Sequence, residues 1–514
     1  MIDNLTRLAA EQQRQFDSTT SSRTRKERGH FGTSPSIADF MAGMFTRIRP
    51  GPLRILDAGA GVGTLSAAVC QRVLQQKNPT RLVFELWEND PRLEVHLQRT
   101  METCRKALCN GGHKMEFTVQ TGDFVLEHAQ PSLFAAGSTD SFDLAIMNPP
   151  YFKVRKDSAS ARAMEHIVSG QPNVYAFFLA VAADLLRDGG ELVAITPRSY
   201  FNGLYFKRFR KWFFERMTVR RIHVFESRMD AFREDEVLQE NVILLGEKAG
   251  KASEVSLSSS RGRDFQNVDR QILPYRRVIE DGSGDRVIRV AASALEQQIL
   301  EEVDNLPHRF RDLPFKISTG PVVAFRATQF LCRQPFDNTA PLLWMHNIRP
   351  FVTRFPSKNG KPMHIVVSNE SSRLLVPAKR YVLLKRFTAK EERRRLVAGI
   401  LESKDSYSPF IGLENHLNYI SKPDGELSPE ESLGLAALFN SVLVDRFFRA
   451  VSGNTQVNAA EIRAMPVPCI ETIRQIGRAI ARNRDRTPQT IERTVGEFLD
   501  LPMKLIEDLC EASP

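Results

Sequence analysis

The sequence predicts an α/β architecture for the amino-terminal half, a parallel sheet covered on both faces by helices, followed by a second domain of mixed α+β character. Three observations carry this. A chain of 514 residues, 42% of them hydrophobic, is long enough for at least two cores, because single cores stop growing beyond roughly 250 residues. Residues 53–247 alternate short β-branched or apolar runs with helical periodicity, the pattern of buried strands joined by crossover helices. From residue 285 onward the strands become shorter and proline more frequent.

Element by element, strands are expected at Leu53–Asp57, Leu82–Trp87, Met115–Gln120, Phe142–Met147, Glu191–Thr196, Val219–Phe225 and Asn241–Leu245. The clearer helices fall between them, at Thr64–Gln76, Pro91–Cys109, Val174–Arg187 and Gly203–Arg216. Between Glu247 and Gly284 the pattern gives way to Lys, Ser, Arg, Gly and Asp, including Ser258–Ser260. That composition predicts a linker over 251–284, separating a domain of residues 1–250 from one of residues 285–514. In the second domain helices are expected over Ser428–Val451 and Ile470–Arg482.

Composition narrows the function classes. Residues Met1–Arg28 mix charges with Gln and hold no apolar stretch of the kind a secretory signal needs. The longest apolar runs, such as Phe177–Leu186, fall short of the roughly 20 residues a membrane-spanning helix requires. A cytoplasmic protein without a membrane partner is expected. The six cysteines include no Cys-x-x-Cys pair, which argues against a disulfide framework or a zinc site, and no metal is expected. The formal net charge is +10, and residues 341–400 alone carry thirteen Lys or Arg against three Asp or Glu. The excess is concentrated in one stretch, as a polyanion-binding surface would require.

The residues that carry chemistry lie at the ends of the expected strands, where open α/β sheets bind ligands. The first strand runs into Asp57-Ala-Gly59-Ala-Gly61-Val-Gly63, a turn that lets backbone approach a ligand and opens a helix. Dinucleotide-binding proteins have similar turns, and the Gly-Lys-Ser/Thr ending of a phosphate-binding loop is absent. The second strand ends in Trp87-Glu88-Asn89-Asp90, placing a carboxylate where it can accept from ribose hydroxyls; a solvated acidic turn is the plain alternative. The third leads to Thr121-Gly-Asp123-Phe124, where Asp123 can accept from an adenine amine or simply cap a helix. The fourth ends in Asn148-Pro149-Pro150-Tyr151, where two consecutive prolines stiffen the turn and remove two donors.

In this order the residues resemble the N6-adenine DNA methyltransferases of restriction–modification systems, in the arrangement where the cofactor half precedes the catalytic motif and the recognition domain is carboxy-terminal. The resemblance covers about residues 20–250 well. It implies a Rossmann-like S-adenosylmethionine-dependent methyltransferase domain with a mixed α+β target-recognition domain. Phe31-Gly-Thr33-Ser-Pro35 looks like the family's amino-terminal cofactor motif, so Phe31 and Thr33 are expected to contact S-adenosyl-L-methionine. Asp57, Gly59 and Gly61 match the glycine-rich motif, Glu88 with Asn89 the ribose contact, and Asp123 with Phe124 the contacts to the cofactor's adenine. Asn148, Pro149, Pro150 and Tyr151 match the catalytic turn. A planar purine amine is a poor nucleophile; the Asn148 side-chain oxygen and the Pro149 carbonyl, each accepting one N–H, would free its lone pair. Tyr151 would stack on the extruded base.

The resemblance implies double-stranded DNA as partner, a separate cognate endonuclease, action as a monomer, and a place in the bacterial cytoplasm at the nucleoid. The basic stretch fits, with Arg349, Arg354, Lys358, Lys361, Lys385 and Arg386 interleaved with aromatics; Arg349, Arg354, Lys385 and Arg386 are the expected DNA contacts. Gly320-Pro-Val-Val-Ala-Phe-Arg326 and Ser452-Gly-Asn-Thr-Gln-Val-Asn458 look, more loosely, like segments of larger adenine methyltransferases. The same catalytic turn also serves enzymes that methylate a glutamine side chain or ribosomal RNA, and an enzyme that both cleaves and methylates is a further alternative. The large basic second half argues for a nucleic acid over a small protein substrate.

Overall fold

The computed structural model describes residues 4–19, 32–129, 141–167, 173–225, 241–260, 265–280, 285–291, 293–357, 360–387, 394–452, 456–483 and 485–513. The chain forms two compact units, Met1–Ala292 and Ser293–Pro514. Phe31 and Lys358 lie outside the described residues, as do 226–240 between the last two expected strands and 453–455 within the segment Ser452–Asn458.

The first unit is built on a nine-stranded sheet: β1 (Gly51–Ala58), β2 (Thr80–Trp87), β3 (Lys114–Gln120), β4 (Phe142–Met147), β5 (Leu186–Pro197), β6 (Met217–Phe225), β7 (Asn241–Lys248), β8 (Glu254–Ser260) and β9 (Val268–Pro274). Their order is β3-β2-β1-β4-β5-β7-β6-β8-β9. Strands β1 to β5 pair in parallel, whereas β7 runs antiparallel to both β5 and β6. The expectation of a parallel sheet therefore holds for its first five strands. Leu144–Met147 and Leu192–Ile195 are wholly buried, as strands sandwiched between helices must be. The helices are α1 (Leu5–Thr19), α2 (Pro35–Met44), α3 (Thr64–Val73), α4 (Pro91–Asn110), α5 (Phe124–His128), α6 (Val174–Leu185) and α7 (Lys207–Arg216).

Within the stretch read as a linker, 251–284, Glu254–Ser260 and Val268–Pro274 extend the sheet: β8 pairs in parallel with β6, and β9 closes the edge antiparallel. Its serines are strand residues with a partner. Ser258 and Ser260, two apart and so on one face, bond the two ring nitrogens of His223 at 2.9 and 3.1 Å. Burial pushes that imidazole down to about 3, so it stays neutral.

Strand β5 also anchors the segment ahead of β1. Glu191, almost wholly buried, accepts from the Thr46 and Arg47 backbone N–H groups at 2.8 and 3.2 Å and from the Thr46 hydroxyl.

Among the described residues the second unit holds two small sheets of four and five strands, besides two two-stranded pairs. One has four antiparallel strands: β10 (Lys316–Thr319), β18 (Leu417–Ser421), β15 (Tyr381–Lys385) and β16 (Ala398–Leu401), in that order. The other runs β11 (Leu331–Cys332), β13 (His364–Val366), β12 (Thr339–Leu343), β17 (Phe410–Leu413) and β14 (Leu375–Pro377), with β12 and β17 parallel. The single helix expected over Ser428–Val451 is two helices, Pro429–Asn440 and Val442–Val451. They break at Ser441, whose hydroxyl caps the second by accepting from Val444 N–H.

Candidate active site

Strand order reverses between β1 and β4, and a cleft opens at the carboxyl ends of the strands there. Its lining brings together Thr33, Gly59, Gly61, Glu88, Asn89, Asp123, Phe124, Asn148 and Pro150 from the residues singled out in the sequence. Asp57, Pro149 and Tyr151 are buried and do not line it.

The glycine-rich turn forms the floor. Gly59 and Ala60 donate their N–H groups to the Trp87 carbonyl at 2.8 and 2.9 Å, which ties the end of β1 to that of β2. Gly59 has φ +79°, and a Cβ there would stand 3.8 Å from the Asn148 carbonyl oxygen, so this turn lies against the Asn148-Pro-Pro-Tyr151 turn. Gly61 has φ +57°, and a Cβ on it would meet nothing within 4 Å: its bare backbone faces open space.

Glu88 lies over this turn, its Oε2 accepting from Gly61 N–H at 2.9 Å and its Oε1 from Asp90 N–H at 2.9 Å. Beneath it Asp57 accepts the Ser66 hydroxyl at 2.6 Å through Oδ2, while the buried Oδ1 has no hydrogen-bond partner among the described residues. Burial, with the Glu88 charge adding to it, pushes the Asp57 carboxyl up to about 7. Asp123 caps α5, accepting from Val125 and Leu126 N–H at 3.0 and 3.1 Å through Oδ1. Phe124 packs with Phe178 and Trp87 at centroid distances of 5.2 and 5.9 Å, giving the cleft an aromatic wall.

At the end of β4 the Asn148 side-chain amide is held from two sides. Its Nδ2 donates to Thr33 Oγ1 at 3.1 Å, and its Oδ1 accepts from the Tyr151 hydroxyl at 2.7 Å. The same hydroxyl reaches the Ile195 carbonyl at 2.9 Å, so one proton is shared between two acceptors. Burial raises the Tyr151 phenol well above its usual range, keeping it protonated and a donor. The ring is 8% exposed and lies edge-on to Tyr175. The expectation that Tyr151 offers a stacking face to the cleft is therefore not met in this structure; the neighbouring Phe152, 40% exposed, lines it instead.

Sequence reasoning missed the wall supplied by α1. Gln13 and Phe16 line the cleft, and Phe16 packs with Val62 and Leu93. The apolar spacing of Leu5, Leu8, Ala9 and Phe16 was the available signal for an amphipathic helix.

Of the expected DNA contacts, Arg349 and Arg354 are exposed. The other two are not surface charges. Lys385 is 7% exposed at the end of a buried strand. The half-buried Arg386 spends its guanidinium on the Asn415 carbonyl at 2.7 Å and Gln456 Oε1 at 2.8 Å. They complete strand and loop packing, a use of long cationic side chains that composition does not distinguish from phosphate binding.

Among the described residues no helix is long and apolar enough to cross a membrane.

Comparison with known proteins gives a consistent result. Residues 75–232 match the model of the Eco57I restriction-modification methylase family. The Type II methyltransferase M.BsuBI of Bacillus subtilis is 33% identical over 483 residues, which cover 93% of this chain and 95% of that one. The Type II methyltransferase M.PstI of Providencia stuartii is 32% identical over 470 residues, 90% and 91% of the two chains. Among solved structures, the Type IIL restriction-modification enzyme MmeI, determined in complex with DNA, shares the fold with a TM-score of 0.53 over 93% of this chain and 70% of its own, at 12% identity. Identity of this extent along nearly the whole chain, with the glycine-rich turn and Asn148 in one cleft, places the protein among the Type II methyltransferases of restriction–modification systems.

Proposed function

We propose that the protein transfers a methyl group from S-adenosyl-L-methionine to the N6 amine of an adenine flipped out of a specific site in double-stranded DNA. In this reading it protects that site from a separate endonuclease, and residues 293–514 recognise the DNA. The observation that carries the reading is the Asn148 amide, fixed in orientation at the mouth of a cleft whose other walls suit an adenosyl ligand.

The cleft's own residues fit that ligand. Glu88 offers carboxylate oxygens for ribose hydroxyls, Phe124 and Phe178 an aromatic wall for a purine, and Gly61 a bare backbone for close approach. Asp57 lies buried behind the turn, where a cationic ligand would favour its ionised form. When bound, S-adenosyl-L-methionine would supply an electrophilic methyl already activated by its positive sulfur.

The chain's remaining task is positional. Thr33 and Tyr151 hold Asn148 so that the second lone pair of Oδ1 can accept one N–H of the target amine, and the Pro149 carbonyl takes the other. The nitrogen can then pyramidalise and direct its lone pair at the methyl. No side chain need act as a strong base, because the proton is acidified once the nitrogen is alkylated and leaves to solvent. Phe152 supplies the aromatic surface that the cleft presents to an incoming base, with Tyr151 behind it.

The test is transfer of radiolabelled methyl from S-adenosyl-L-methionine to DNA, RNA and protein in parallel, with nucleoside analysis of the product. N6-methyladenine in DNA is expected, and Asn148→Ala should lose it while still binding DNA. Label confined to RNA or protein, or undiminished turnover in Asn148→Ala, would overturn the reading.

A further inference from the structure

Two segments noted in the sequence, Gly320–Arg326 and the described residues Gln456–Asn458 of the second, and Arg386 of the basic stretch between them are not among the described residues that line the cleft. In the second unit they converge on the short loop 414–416 that joins β17 to β18. Gly320 lies so close to this loop that a Cβ would collide with the backbone of Leu413 and Glu414, and the Asn415 N–H donates to the Val322 carbonyl at 2.9 Å. From the other side Arg386 donates its N–H to the His416 carbonyl at 2.9 Å and its guanidinium to Asn415 and Gln456, and Val457 N–H returns to the Arg386 carbonyl at 2.9 Å. Three distant pieces of chain are thus fastened around residues 414–416.

At the centre is His416. Its backbone N–H bonds Glu414 Oε2 at 3.0 Å and its Nδ1 bonds Glu414 Oε1 at 2.7 Å, while the Glu414 side chain is almost wholly buried. The Phe387 ring meets the imidazole edge-on at 4.9 Å. The ring is therefore fixed in position and tautomer, Nδ1–H toward Glu414, yet the side chain is 41% exposed and Nε2 has no hydrogen-bond partner among the described residues. A buried carboxylate devoted to orienting one exposed imidazole is the arrangement of a recognition group, since a surface histidine needs no such support.

The surroundings select the partner. Lys361 lies over the Trp344 ring at 4.4 Å; partial burial lowers the affinity of His346 for a proton, the charges of Lys361, Lys385 and Arg349 add to this, and Glu414 opposes it. Glu414, which holds His416, thus shares with Lys361 and the exposed Arg349 a common neighbour in His346, and a fixed hydrogen-bonding ring in a neighbourhood with such cations matches a base edge flanked by backbone phosphates.

We propose that His416, oriented by Glu414, is a specificity-determining residue that hydrogen-bonds a base edge of double-stranded DNA through Nε2, with Lys361 and Arg349 on the adjoining phosphates. It rests on the reading of DNA as substrate and adds to it the position from which sequence is read. Nε2 accepts from an exocyclic amine, or when protonated donates to a guanine acceptor, so it distinguishes one base pair from the others.

The test begins by mapping the methylated site of the wild-type enzyme by sequencing of modified DNA. Then kcat/KM is measured for wild type, His416→Ala and Glu414→Gln on that duplex and on every duplex with a single base pair changed. The expected result is that His416→Ala loses roughly tenfold or more of the preference at one base pair, from the size of a good base contact, with the other positions and cofactor affinity unchanged. Glu414→Gln should lose part of the same preference at the same base pair. A fold defect would lower all duplexes together and leave the ratios intact. Ratios unchanged at every position in His416→Ala would overturn the proposal, whatever the absolute rates. A wild-type enzyme that methylates no DNA would instead remove the reading on which it rests.

Discussion

Replacing Tyr151 by Phe separates two roles for that residue. Stacking on a base needs the ring alone, which the substitution keeps; positioning Asn148 needs the hydroxyl, which it removes. In the structure that hydroxyl stands 2.7 Å from Asn148 Oδ1 and 2.9 Å from the Ile195 carbonyl. Without it the Ile195 carbonyl and the Asn148 side-chain oxygen both lose this donor. Leaving a buried acceptor unpaired costs about 1–3 kcal/mol. If that cost falls on the geometry of Asn148 it appears in the barrier, and at about 1.4 kcal/mol per decade the turnover falls roughly fivefold to a hundredfold or more. The assay is single-turnover methyl transfer with saturating cofactor and DNA, so that the chemical step is read directly. Cofactor affinity should hardly change, because Tyr151 does not line the cleft. Tyr151→Phe turning over within twofold of wild type would refute the positioning role and return Tyr151 to stacking.

Two further substitutions test the floor of the cleft. Asp57 is raised from 3.8 to about 7 by burial, so between those pH values the folded state holds a proton that the unfolded chain releases, and stability is lost as pH rises. Asp57→Asn cannot lose it: its stability relative to wild type should improve from pH 4 to pH 7 and level off above, by at most about 4 kcal/mol, the free energy that separates a carboxyl titrating near pH 4 from one titrating near pH 7. Urea denaturation across that range measures this, and a constant difference between the two proteins would mean that Asp57 keeps an ordinary carboxyl. Gly61→Ala puts a methyl group into open space at φ +57°, which costs about 1–2 kcal/mol of backbone strain; if the bare backbone is there for a ligand, cofactor affinity should fall tenfold or more. Thermal melting and calorimetric titration separate the two effects, and an unaltered cofactor affinity would move the ligand away from this turn.

Where burial is continuous the fold was legible. The seven strands expected in residues 53–247 are all present, with β4 matched residue for residue, because strands buried on both faces read as unbroken apolar runs. The linker reading failed because β8 places Ser256, Ser258 and Ser260 where apolar side chains would otherwise alternate with Val255 and Leu257. Two of those serines face a buried histidine 35 and 37 residues earlier, a pairing no local pattern reveals. The candidate site was legible through its turns, since glycine and proline act on the backbone wherever they stand. Phe16 and Gln13 were not, because only the tertiary packing of α1 brings them to the cleft. For Lys385 and Arg386, composition counts charge without saying which side of a strand end it faces.

The position of Asn148 also depends on residues far from it in sequence. Thr33, which accepts from its amide, belongs to a segment that leads through α2 to Thr46 and Arg47, and both of these are bound to the buried Glu191 of β5. Tyr151, which holds the other side of the amide, bonds the carbonyl of Ile195, four residues along that same strand. Both supports of Asn148 are therefore referred to β5, a strand that is hydrogen-bonded on both sides within the sheet. Thr33 also lines the cleft, so a ligand that fills it presses on one of the two groups that orient the amide. Thr33 is thus shared by the cleft and the Asn148 turn, and a ligand that orders Thr33 would order Asn148 with it.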